Sequence, residues 1–312
     1  MSQKILSIIV PTYNMEKYLA YCMDSFLIHK NLSKLEVLIV NDGSTDNSLD
    51  IAKKYVSRAD GVFKIIDKKN GNYGSCINAA LPVATAKYVK VVDADDSVNT
   101  DNLDDFLSFL SENDVDLALS DFTLVNEDRI ETKKISYNFG NSLIPMEQIC
   151  STERFKDMEM HAVTYRRDLL LNYGYTQTEG VSYTDQQWIF TPMVLVKTVG
   201  VFNKPVYKYL VGRAGQTVDP VVKIKKMADR VKCVFDMAVQ YEKIIKKQPH
   251  QLNHIWMPVF VLMYRIFILH IFLIHLKLIR NLLRILIRSL KVMLLPYINI
   301  LMNLIFIFDY GE

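Results

Sequence analysis

The sequence predicts an α/β protein with a mostly parallel sheet flanked by helices and a helical C-terminal extension. Short, continuously apolar runs recur between Leu6 and Val92, and segments with helical spacing of apolar residues separate them. Apolar strands that alternate with amphipathic helices are typical of βαβ units, whose sheets are covered on both faces. Right-handed crossovers then place the loops that follow the strands along one edge of the sheet, where open α/β proteins bind ligands.

The elements of the N-terminal region are regular in length and order. Apolar runs predict four strands, at Leu6–Val10, Leu35–Val40, Val62–Ile66 and Tyr88–Val92. Apolar residues three or four positions apart predict helices between these strands, at Glu16–His29, Asn47–Ser57 and Ser75–Leu81.

The pattern is looser after Val92. Helical spacing recurs at Leu103–Leu110, Tyr183–Val196 and Val221–Ile245. Strands are predicted at Leu117–Val125 and around Pro205 within Val199–Leu210, and the polar residues 126–160 are predicted to be irregular.

The C-terminal region differs from the rest in charge and hydrophobicity. The chain has 312 residues and a formal net charge of +3, yet no acid lies between Glu242 and Asp309. A core of about 20 apolar residues is expected of a membrane span, and Arg265 falls near the middle of the best candidate, so a spanning helix is disfavoured. We expect a basic amphipathic helix in a membrane interface instead, and the alternative is a helix packed on the body with a solvated face. Its basic stripe consists of Lys277, Arg280, Arg284, Arg288 and Lys291.

Several classes of protein are disfavoured by composition. The four cysteines form no CxxC pair and no zinc-like set with His, which favours free thiols in a reducing compartment. The first residues, MSQKILSIIVPTYN, resemble a first strand rather than a signal peptide. Nucleic-acid binding is not expected because the basic charge lies within an apolar tail rather than in a polar basic patch.

The first two predicted strands each end in a polar loop. PTYN at 11–14 follows the first strand and, alone, is an ordinary strand exit. NDGSTDNS at 41–48 follows the second, where Gly43 permits a tight turn and Ser44, Thr45 or Asp46 are candidate helix caps. Capping leaves Asp42 unexplained, and a carboxylate at a strand end can accept hydrogen bonds from a base or a ribose.

Two further loops carry glycine and acid clusters. NGNYGS at 70–75 precedes a helix and is either a plain loop or an anion site at the helix N-terminus. DADD at 93–96 follows the fourth strand, and alternation places Asp93 and Asp95 on the same side. Such paired carboxylates suit Mg²⁺ or Mn²⁺. Capping of the next helix by Asp96 or Ser97 is the alternative, but it leaves the first two acids without a role.

PTYN, NDGSTD, NGNYGS with Asn78, and DADD, in this order and spacing, resemble the family 2 glycosyltransferases of the GT-A fold. The resemblance covers roughly residues 5–215. It implies an inverting enzyme that uses a nucleotide-diphosphate sugar, usually a UDP-sugar, together with a divalent cation, Mn²⁺ or Mg²⁺.

The resemblance also assigns roles to particular positions. Asp42 is expected to face the base, Asp93 to lie near the ribose, and Asp95 to bind the metal. The residues expected to bind the nucleotide-sugar are Pro11, Thr12, Tyr13, Asn14, Asp42, Asn70, Gly74, Asn78, Asp93, Ala94 and Arg213.

The catalytic base of the family is usually an Asp that follows a Glu and shortly precedes a Trp. The corresponding segment is YTDQQW at 183–188, in which Asp185 fits the base and Thr184 replaces the Glu. The same segment also reads as an N-cap of an apolar helix. Downstream, GRAGQT at 212–217 resembles a family segment near the diphosphate, where Arg213 would neutralise charge, and the alternative is an arginine of a surface loop. His161, Arg166 and Arg167 fall where acceptor-side residues often occur.

The expected organisation is a glycosyltransferase domain over residues 1–220, divided into a nucleotide-binding half (1–100) and an acceptor half (101–220). A connecting helix (221–252) and the basic apolar tail (253–312) follow. The tail suggests a lipid-linked or polysaccharide acceptor and a location on the cytoplasmic side of the cell membrane. Two alternatives are a nucleotide-sugar-binding protein without transfer activity, which the irregular base motif permits, and a nucleotidyltransferase. The second is disfavoured because PTYNMEKY lacks a glycine-rich basic loop.

Overall fold

The computed structural model describes residues 4–140, 142–152, 158–213 and 226–247. All structural statements below refer to these residues. No described helix combines the length and the apolar character needed to cross a membrane. The tail at 253–312 lies outside the described residues, so its helical structure and its membrane contact remain predictions.

The N-terminal half is a parallel sheet with the strand order β3-β2-β1-β4. Continuous burial explains why these strands show no polar alternation, since every residue of β1 and β2 is buried. The strands are β1 (Leu6–Thr12), β2 (Leu35–Asp42), β3 (Phe63–Lys68) and β4 (Tyr88–Val91). The helices between them are α1 (Leu19–Ser25), α2 (Ser48–Arg58) and α3 (Asn72–Ala80).

The second half extends the same sheet, with antiparallel strands added to it. Beyond β4 the order continues β9-β6-β10-β5, with β7 paired to β6 and β8 to β10. β6 and β10 are parallel, whereas β9 runs antiparallel to both of its neighbours. The strands are β5 (Ser97–Val98), β6 (Leu117–Val125), β7 (Glu131–Ile135), β8 (Leu143–Pro145), β9 (Val163–Arg166) and β10 (Thr198–Leu210).

Five helices accompany the second half. They are α4 (Thr100–Glu112), α5 (Met146–Cys150), α6 (Arg167–Tyr173), α7 (Asp185–Met193) and α8 (Met227–Lys247). Helix α4 packs against β10, and α7 packs against α8. One continuous cluster of buried apolar side chains runs through both halves, with Trp188 of α7 fully buried between the rings of Tyr165 and Tyr175. The loops after β1, β2 and β4 therefore share an edge with the start of α7.

Most predicted elements are present, and the differences have local causes. The first helix is shorter than predicted because Glu16 lies in a turn, where its carboxylate accepts from Asn47. β7 was missed because it is an exposed hairpin strand without polar–apolar alternation, and β8 and α5 are only three and five residues long. Pro205 does not divide β10, because shifts in register on both sides of it accommodate the ring.

Candidate active site

A cavity of about 460 Å³ lies at the carboxyl ends of β1, β2 and β4. Parallel strands bring their following loops to one edge, so the four polar loops singled out in the sequence are neighbours there. The start of α7 and the end of β10 form the opposite side of the cavity. Predicted site residues that line it are Pro11, Thr12, Tyr13, Asp42, Asn70, Asp93, Ala94, Asp95, Asp185 and Arg213.

The three acids after β4 meet at one point of the cavity. One carboxylate oxygen from each of Asp93, Asp95 and Asp96 lies within 4.8 Å of the others. The Tyr73 hydroxyl donates to Oδ1 of Asp93 at 2.7 Å, and Nε of Arg213 donates to Oδ2 of Asp95 at 2.5 Å. The cluster is therefore held by α3 on one side and by the segment after β10 on the other.

Asp96 is bound more completely than its neighbours. The Tyr207 hydroxyl donates to Oδ2 of Asp96 at 2.5 Å, and the backbone N–H of Leu210 donates to Oδ1 at 2.7 Å. The predicted helix-capping role for this acid, or for Ser97, is wrong. The N-cap of α4 is Asn99, whose side chain accepts from the backbone N–H of Asn102.

Burial and the charges of neighbouring acids raise the pKa of two members of the cluster. Burial, followed by the charge of Asp95, raises the pKa of Asp93 to about 6. Burial and the same neighbours raise the pKa of Asp96 well above the usual range of a carboxyl. Arg213, with its guanidinium 19% exposed, supplies a positive charge to Asp95 within this group.

The donor set suits a hard divalent cation. Oδ2 of Asp93 and Oδ1 of Asp95 accept no hydrogen bond from the described part of the chain. Two open carboxylate oxygens beside a third acid match the preference of Mg²⁺ and Mn²⁺ for oxygen ligands, with remaining positions left to water or phosphate. The residues present therefore fit the expected cation, and Asp93 joins Asp95 as a candidate ligand.

Asp42 forms a second wall of the cavity and is only 2% exposed. Its Oδ1 accepts from Nζ of Lys68 at 2.6 Å and from the backbone N–H of Gly71 at 3.0 Å. The side-chain amide of Asn70 donates to the backbone carbonyl of Asp42 at 2.9 Å. These bonds join the end of β2 to the loop before α3. Nearby, the ring of Tyr13 is 48% exposed at the cavity and presents an open aromatic face.

Three residues predicted to bind the donor do not line the cavity. Asn14 instead joins two loops, accepting from the backbone N–H of Thr45 at 2.8 Å through its side chain. Asn78 binds the segment before α7, because its amide accepts from the backbone N–H of Gln177 at 2.8 Å and donates to the carbonyl of Gln177 at 2.9 Å.

Gly74 is required by close packing rather than by a ligand. A Cβ at this position would lie 2.2 Å from the carbonyl oxygen of Thr178. The backbone N–H of Gly180 also donates to the carbonyl of Gly71 at 2.8 Å. Gly74 and Asn78 therefore fix the path of residues 177–180 over α3, and that path leads to Asp185.

Asp185 is the first residue of α7 and faces the cavity. Its Oδ1 is buried and has no hydrogen-bond partner among the described residues. Burial raises the pKa of Asp185, while the backbone N–H of Gln186 and the charge of Arg230 oppose the rise. Thr184 holds the N-cap position without a side-chain cap bond, so the capping role predicted as an alternative for this segment is not observed. A carboxylate of raised pKa with an unpartnered oxygen in a cavity is a candidate general base.

The backbone before Asp185 is strained. Tyr183 has a φ of 67°, in the left-handed region that aromatic residues rarely adopt. Such residues persist where the surrounding structure fixes them, and they concentrate at functional sites. The guanidinium of Arg230 lies 5.1 Å from the centre of the Tyr183 ring, so α8 contacts this turn directly.

Three cavity residues or supports were not selected from the sequence: Tyr73, Tyr207 and Arg230. Tyr73 lies inside the NGNYGS motif, so its position was available as a signal. Tyr207 and Arg230 occur in a predicted strand and a predicted helix, where spacing does not show which residue faces the acids. His161 is packed between aromatic rings, with the Tyr209 ring centre 4.2 Å away.

A family model described as "Glycosyl transferase family 2" matches residues 7–174. The chain belongs to glycosyltransferase family 2. It is 29% identical over 218 residues to the uncharacterized glycosyltransferase YibD of Escherichia coli (strain K12), covering 65% of this chain and 60% of that protein. It is 28% identical over 212 residues to the poly(ribitol-phosphate) beta-N-acetylglucosaminyltransferase TarS of Staphylococcus aureus (strain MW2), covering 67% of this chain and 36% of TarS. This family 2 chain thus spans 60% or less of the length of these relatives.

Solved structures support the GT-A fold predicted from the sequence. The crystal structure of S. aureus TarS 1–349 in complex with UDP-GlcNAc superposes with a TM-score of 0.62 at 24% identity, covering 76% of this chain and 66% of that one. A mannosyltransferase of Pyrobaculum calidifontis in complex with GDP-Man and Mn²⁺ superposes with a TM-score of 0.51 at 17% identity, covering 93% and 81%.

Proposed function

We propose that this glycosyltransferase transfers a sugar, with inversion, from a UDP-sugar to a hydroxyl of a membrane-linked saccharide or surface polysaccharide precursor. The observation that carries the proposal is the pairing of two sites in one cavity. The Asp93–Asp96 cluster, which fits a divalent cation, faces Asp185, whose Oδ1 has no partner among the described residues. The first site suits a diphosphate leaving group and the second suits an acceptor hydroxyl.

Each side chain has a defined task in the proposed reaction. Asp185 takes the proton of the acceptor hydroxyl as that oxygen bonds to the anomeric carbon and the bond from this carbon to the phosphate breaks. General-base assistance of this kind contributes about 10²–10⁴-fold to the rate. Asp93 and Asp95 are the candidate ligands of Mn²⁺ or Mg²⁺, which when bound neutralises charge on the departing diphosphate. A single displacement turns an α-linked donor into a β-linked product.

The preference for UDP and for a hexosyl or N-acetylhexosaminyl group rests on two supports. The motifs at 11–14, 41–46, 70–75 and 93–96 resemble UDP-sugar enzymes of the family. TarS, whose structure holds UDP-GlcNAc, aligns with 67% of this chain. Asp42, which lines the cavity at 2% exposure, is our proposed acceptor of hydrogen bonds from the base.

A thermal-shift panel tests the donor. The purified protein is heated with UDP-, GDP- and CDP-sugars, each with and without Mn²⁺. A ligand of the folded state at 100 times its Kd raises stability by about 2.7 kcal/mol, so the correct donor is recognised by its shift in Tm. We expect a UDP-sugar to give the largest shift and only with the cation. If none of the nucleotide-sugars shifts the Tm, the proposed function is refuted. If a GDP- or CDP-sugar gives a larger shift than every UDP-sugar, the UDP assignment is refuted.

The alternative of a binding protein without transfer activity makes a different prediction. Its support is Thr184, which stands where the family usually has Glu. Such a protein binds the UDP-sugar with the cation but releases no UDP over hours of incubation. Release of UDP, by transfer or by slow hydrolysis, excludes this alternative.

The tail at 253–312 underlies the proposed location on the cytoplasmic face of the cell membrane. Each basic residue near an anionic membrane surface contributes roughly 1 kcal/mol of attraction. We expect full-length protein to sediment with vesicles of phosphatidylglycerol and not with vesicles of phosphatidylcholine. A full-length variant with Gln at Lys277, Arg280, Arg284, Arg288 and Lys291 should lose this binding, and unchanged sedimentation would contradict the proposal.

A further inference from the structure

The base end of the cavity, which is the end beside Asp185, contains the cationic side chain of Arg230. This side chain forms no ion pair with the described residues. Arg230 of α8 lines the cavity, and its Nε and Nη1 are buried without a hydrogen-bond partner. Leaving such donors unpaired costs free energy, so these two buried guanidinium nitrogens require an explanation. Its contact with the described residues is the face of the Tyr183 ring, 5.1 Å from the guanidinium carbon.

Two acids of α8, Asp229 and Asp236, have other partners and form no ion pair with Arg230. Asp229 accepts from the backbone N–H of Ser182 at 3.0 Å and lies 3.5 Å from Nζ of Lys226. Asp236 accepts from the Thr178 hydroxyl at 2.6 Å. The turn before Asp185 is thus bound to α8 by these acids, and Arg230 remains available to the cavity.

Arg230 and Arg213 serve different ends of the cavity. Arg213 is paired with Asp95 at 2.5 Å, at the end that fits the cation and the diphosphate. Arg230 acts on the opposite end, where its charge lowers the pKa of Asp185 and of Tyr183 against the effect of burial. Asp185 receives the proton of the acceptor in the proposed reaction, so an anion bound by Arg230 belongs to the acceptor.

We propose that Arg230 forms an oxyanion subsite for the acceptor, which carries a phosphate or carboxylate group close to the hydroxyl that attacks. The inference rests on the proposed function. Without this cation, the carboxylates at 93, 95, 96 and 185 would repel an anionic acceptor, and Arg230 offsets that repulsion on the acceptor side. Nε and Nη1 of the guanidinium both lack partners, so each has an N–H available to an oxyanion.

Three probes with one carbon skeleton test the subsite: glycerol, glycerol 3-phosphate and glycerate. Binding to the full-length protein is measured by calorimetry, with and without UDP and Mn²⁺. A hydrogen bond to a charged group predicts that at least one anionic probe binds about tenfold or more tightly than glycerol. The better of the two anions distinguishes a phosphate acceptor from a carboxylate acceptor.

The variants separate this role from others. Arg230→Gln should remove the preference for the anion while leaving UDP–Mn²⁺ binding unchanged, and Arg230→Lys should restore part of it. Lys232→Gln is the matched control, since it removes a positive charge from an exposed site on the same helix and should change neither binding event. Equal loss of UDP and anion binding in Arg230→Gln would overturn the inference, because it would assign Arg230 to the donor.

The wild-type measurement is decisive even if a variant does not fold. A wild-type protein that binds UDP–Mn²⁺ but binds glycerol as tightly as both anions overturns the subsite and leaves the proposed function intact. A protein that binds no nucleotide overturns the proposed function. In that case the three probes, measured without nucleotide, still show whether Arg230 binds an oxyanion.

Discussion

The cavity has an acid end, formed by Asp93, Asp95 and Asp96, and a base end beside Asp185. The two ends differ in how many of their polar atoms have hydrogen-bond partners. At the acid end, Asp93, Asp95 and Asp96 each accept a hydrogen bond from a tyrosine or an arginine. At the base end, polar atoms of Thr184, Asp185, Gln186 and Arg230 have no partner in the described ranges.

This difference indicates a division of labour. The contacts of the acid end are made by the protein itself, so its geometry is set before a ligand arrives. The base end keeps its hydrogen-bonding capacity unused, as expected of a surface that a substrate completes. Substitutions at the first end should therefore affect cation and donor binding, and substitutions at the second should affect transfer.

Asp185→Asn gives the largest expected effect and is the strongest test of that division. The amide cannot take a proton from the acceptor, so transfer should fall by about 10²–10⁴-fold. UDP-sugar binding should change little because the acid end is intact. Initial rates of UDP release with acceptor, together with calorimetry of UDP–Mn²⁺, measure the two quantities.

Asp168→Asn provides the matched control for that substitution. Asp168 also lies in the first turn of a helix, α6, but its side chain is 65% exposed and pairs with Arg167. It should leave both measurements unchanged. Wild-type turnover by Asp185→Asn would refute the base assignment.

Tyr207→Phe tests the acid end and has the next largest expected effect. The Tyr207 hydroxyl donates to Asp96 and accepts from the backbone N–H of Asp93 at 3.1 Å. Its removal leaves both groups without this partner, and loss of a group that orients metal ligands typically costs about 10–100-fold in metal affinity. Titration of Mn²⁺ with UDP present measures the change.

Tyr165→Phe is the control for Tyr207→Phe. Tyr165 is equally buried, and its hydroxyl donates to the carbonyl of Ile189 at 3.2 Å, among apolar neighbours. It should leave the affinity for Mn²⁺ unchanged. If both variants retain wild-type affinity, the acid end is not organised by Tyr207.

The sequence predicted the acid end better than the base end, for a physical reason. Asp93 and Asp95 follow one strand, so alternation alone places them together. Their supports come from far along the chain, as the Tyr207–Asp96 bond shows. The proposed cap at Asp96 was wrong because Asn99, three residues later, has the side chain that reaches the free N–H of α4.

The base end depends on tertiary contacts that local patterns do not encode. Gly74 and Asn78 were predicted to touch the donor, but they position the segment that leads to Asp185. Their presence in the motif was recognised, and their role required knowledge of where residues 177–180 run. Arg230 was assigned only to a helix, because amphipathic spacing does not reveal a partner across a cavity.

Gly74→Ala tests the role of Gly74 in positioning residues 177–180, and we expect an effect of intermediate size on stability. In a helix without steric conflict, Gly→Ala stabilises by about 1 kcal/mol. Here the new Cβ would overlap the carbonyl of Thr178, so we expect a net loss of about 1–3 kcal/mol in the free energy of unfolding, as for overpacked sites. The shifted segment should also lower kcat more than it raises KM for the donor.

Urea unfolding and steady-state kinetics measure these effects of Gly74→Ala. Gly61→Ala is the control for a glycine substitution without a clash, since no atom lies within 4 Å and only its φ of 69° opposes alanine. It should lower stability without changing kcat. A Gly74→Ala variant more stable than wild type would contradict the close packing of α3 and residues 177–180.

Lys90 of β4 gives the smallest predicted effect, a dependence of stability on pH. Its Nζ is fully buried and donates to the carbonyls of His161 at 2.7 Å and Val163 at 3.2 Å. Burial lowers the pKa of Lys90 to about 7, against 10.5 for an ordinary lysine. Between these values the unfolded chain binds a proton that the folded protein does not, so stability rises with pH over this interval.

The slope from one such group is at most about 1.4 kcal/mol per pH unit, and it disappears below pH 7, where both states are protonated. Urea midpoints at pH 7, 7.5 and 8 should rise for wild type and rise less for Lys90→Met; above about pH 8 the buried cysteines, whose pKa is raised by burial, oppose the rise in both proteins. Lys53→Met, at a 59% exposed lysine, should keep the wild-type slope. Lys90 binds the backbone next to His161 and does not contact the carboxylates of the acid end or Asp185. Its substitution should therefore change stability and leave both Mn²⁺ affinity and the transfer rate unchanged. A wild-type slope in Lys90→Met would assign the dependence to another buried group.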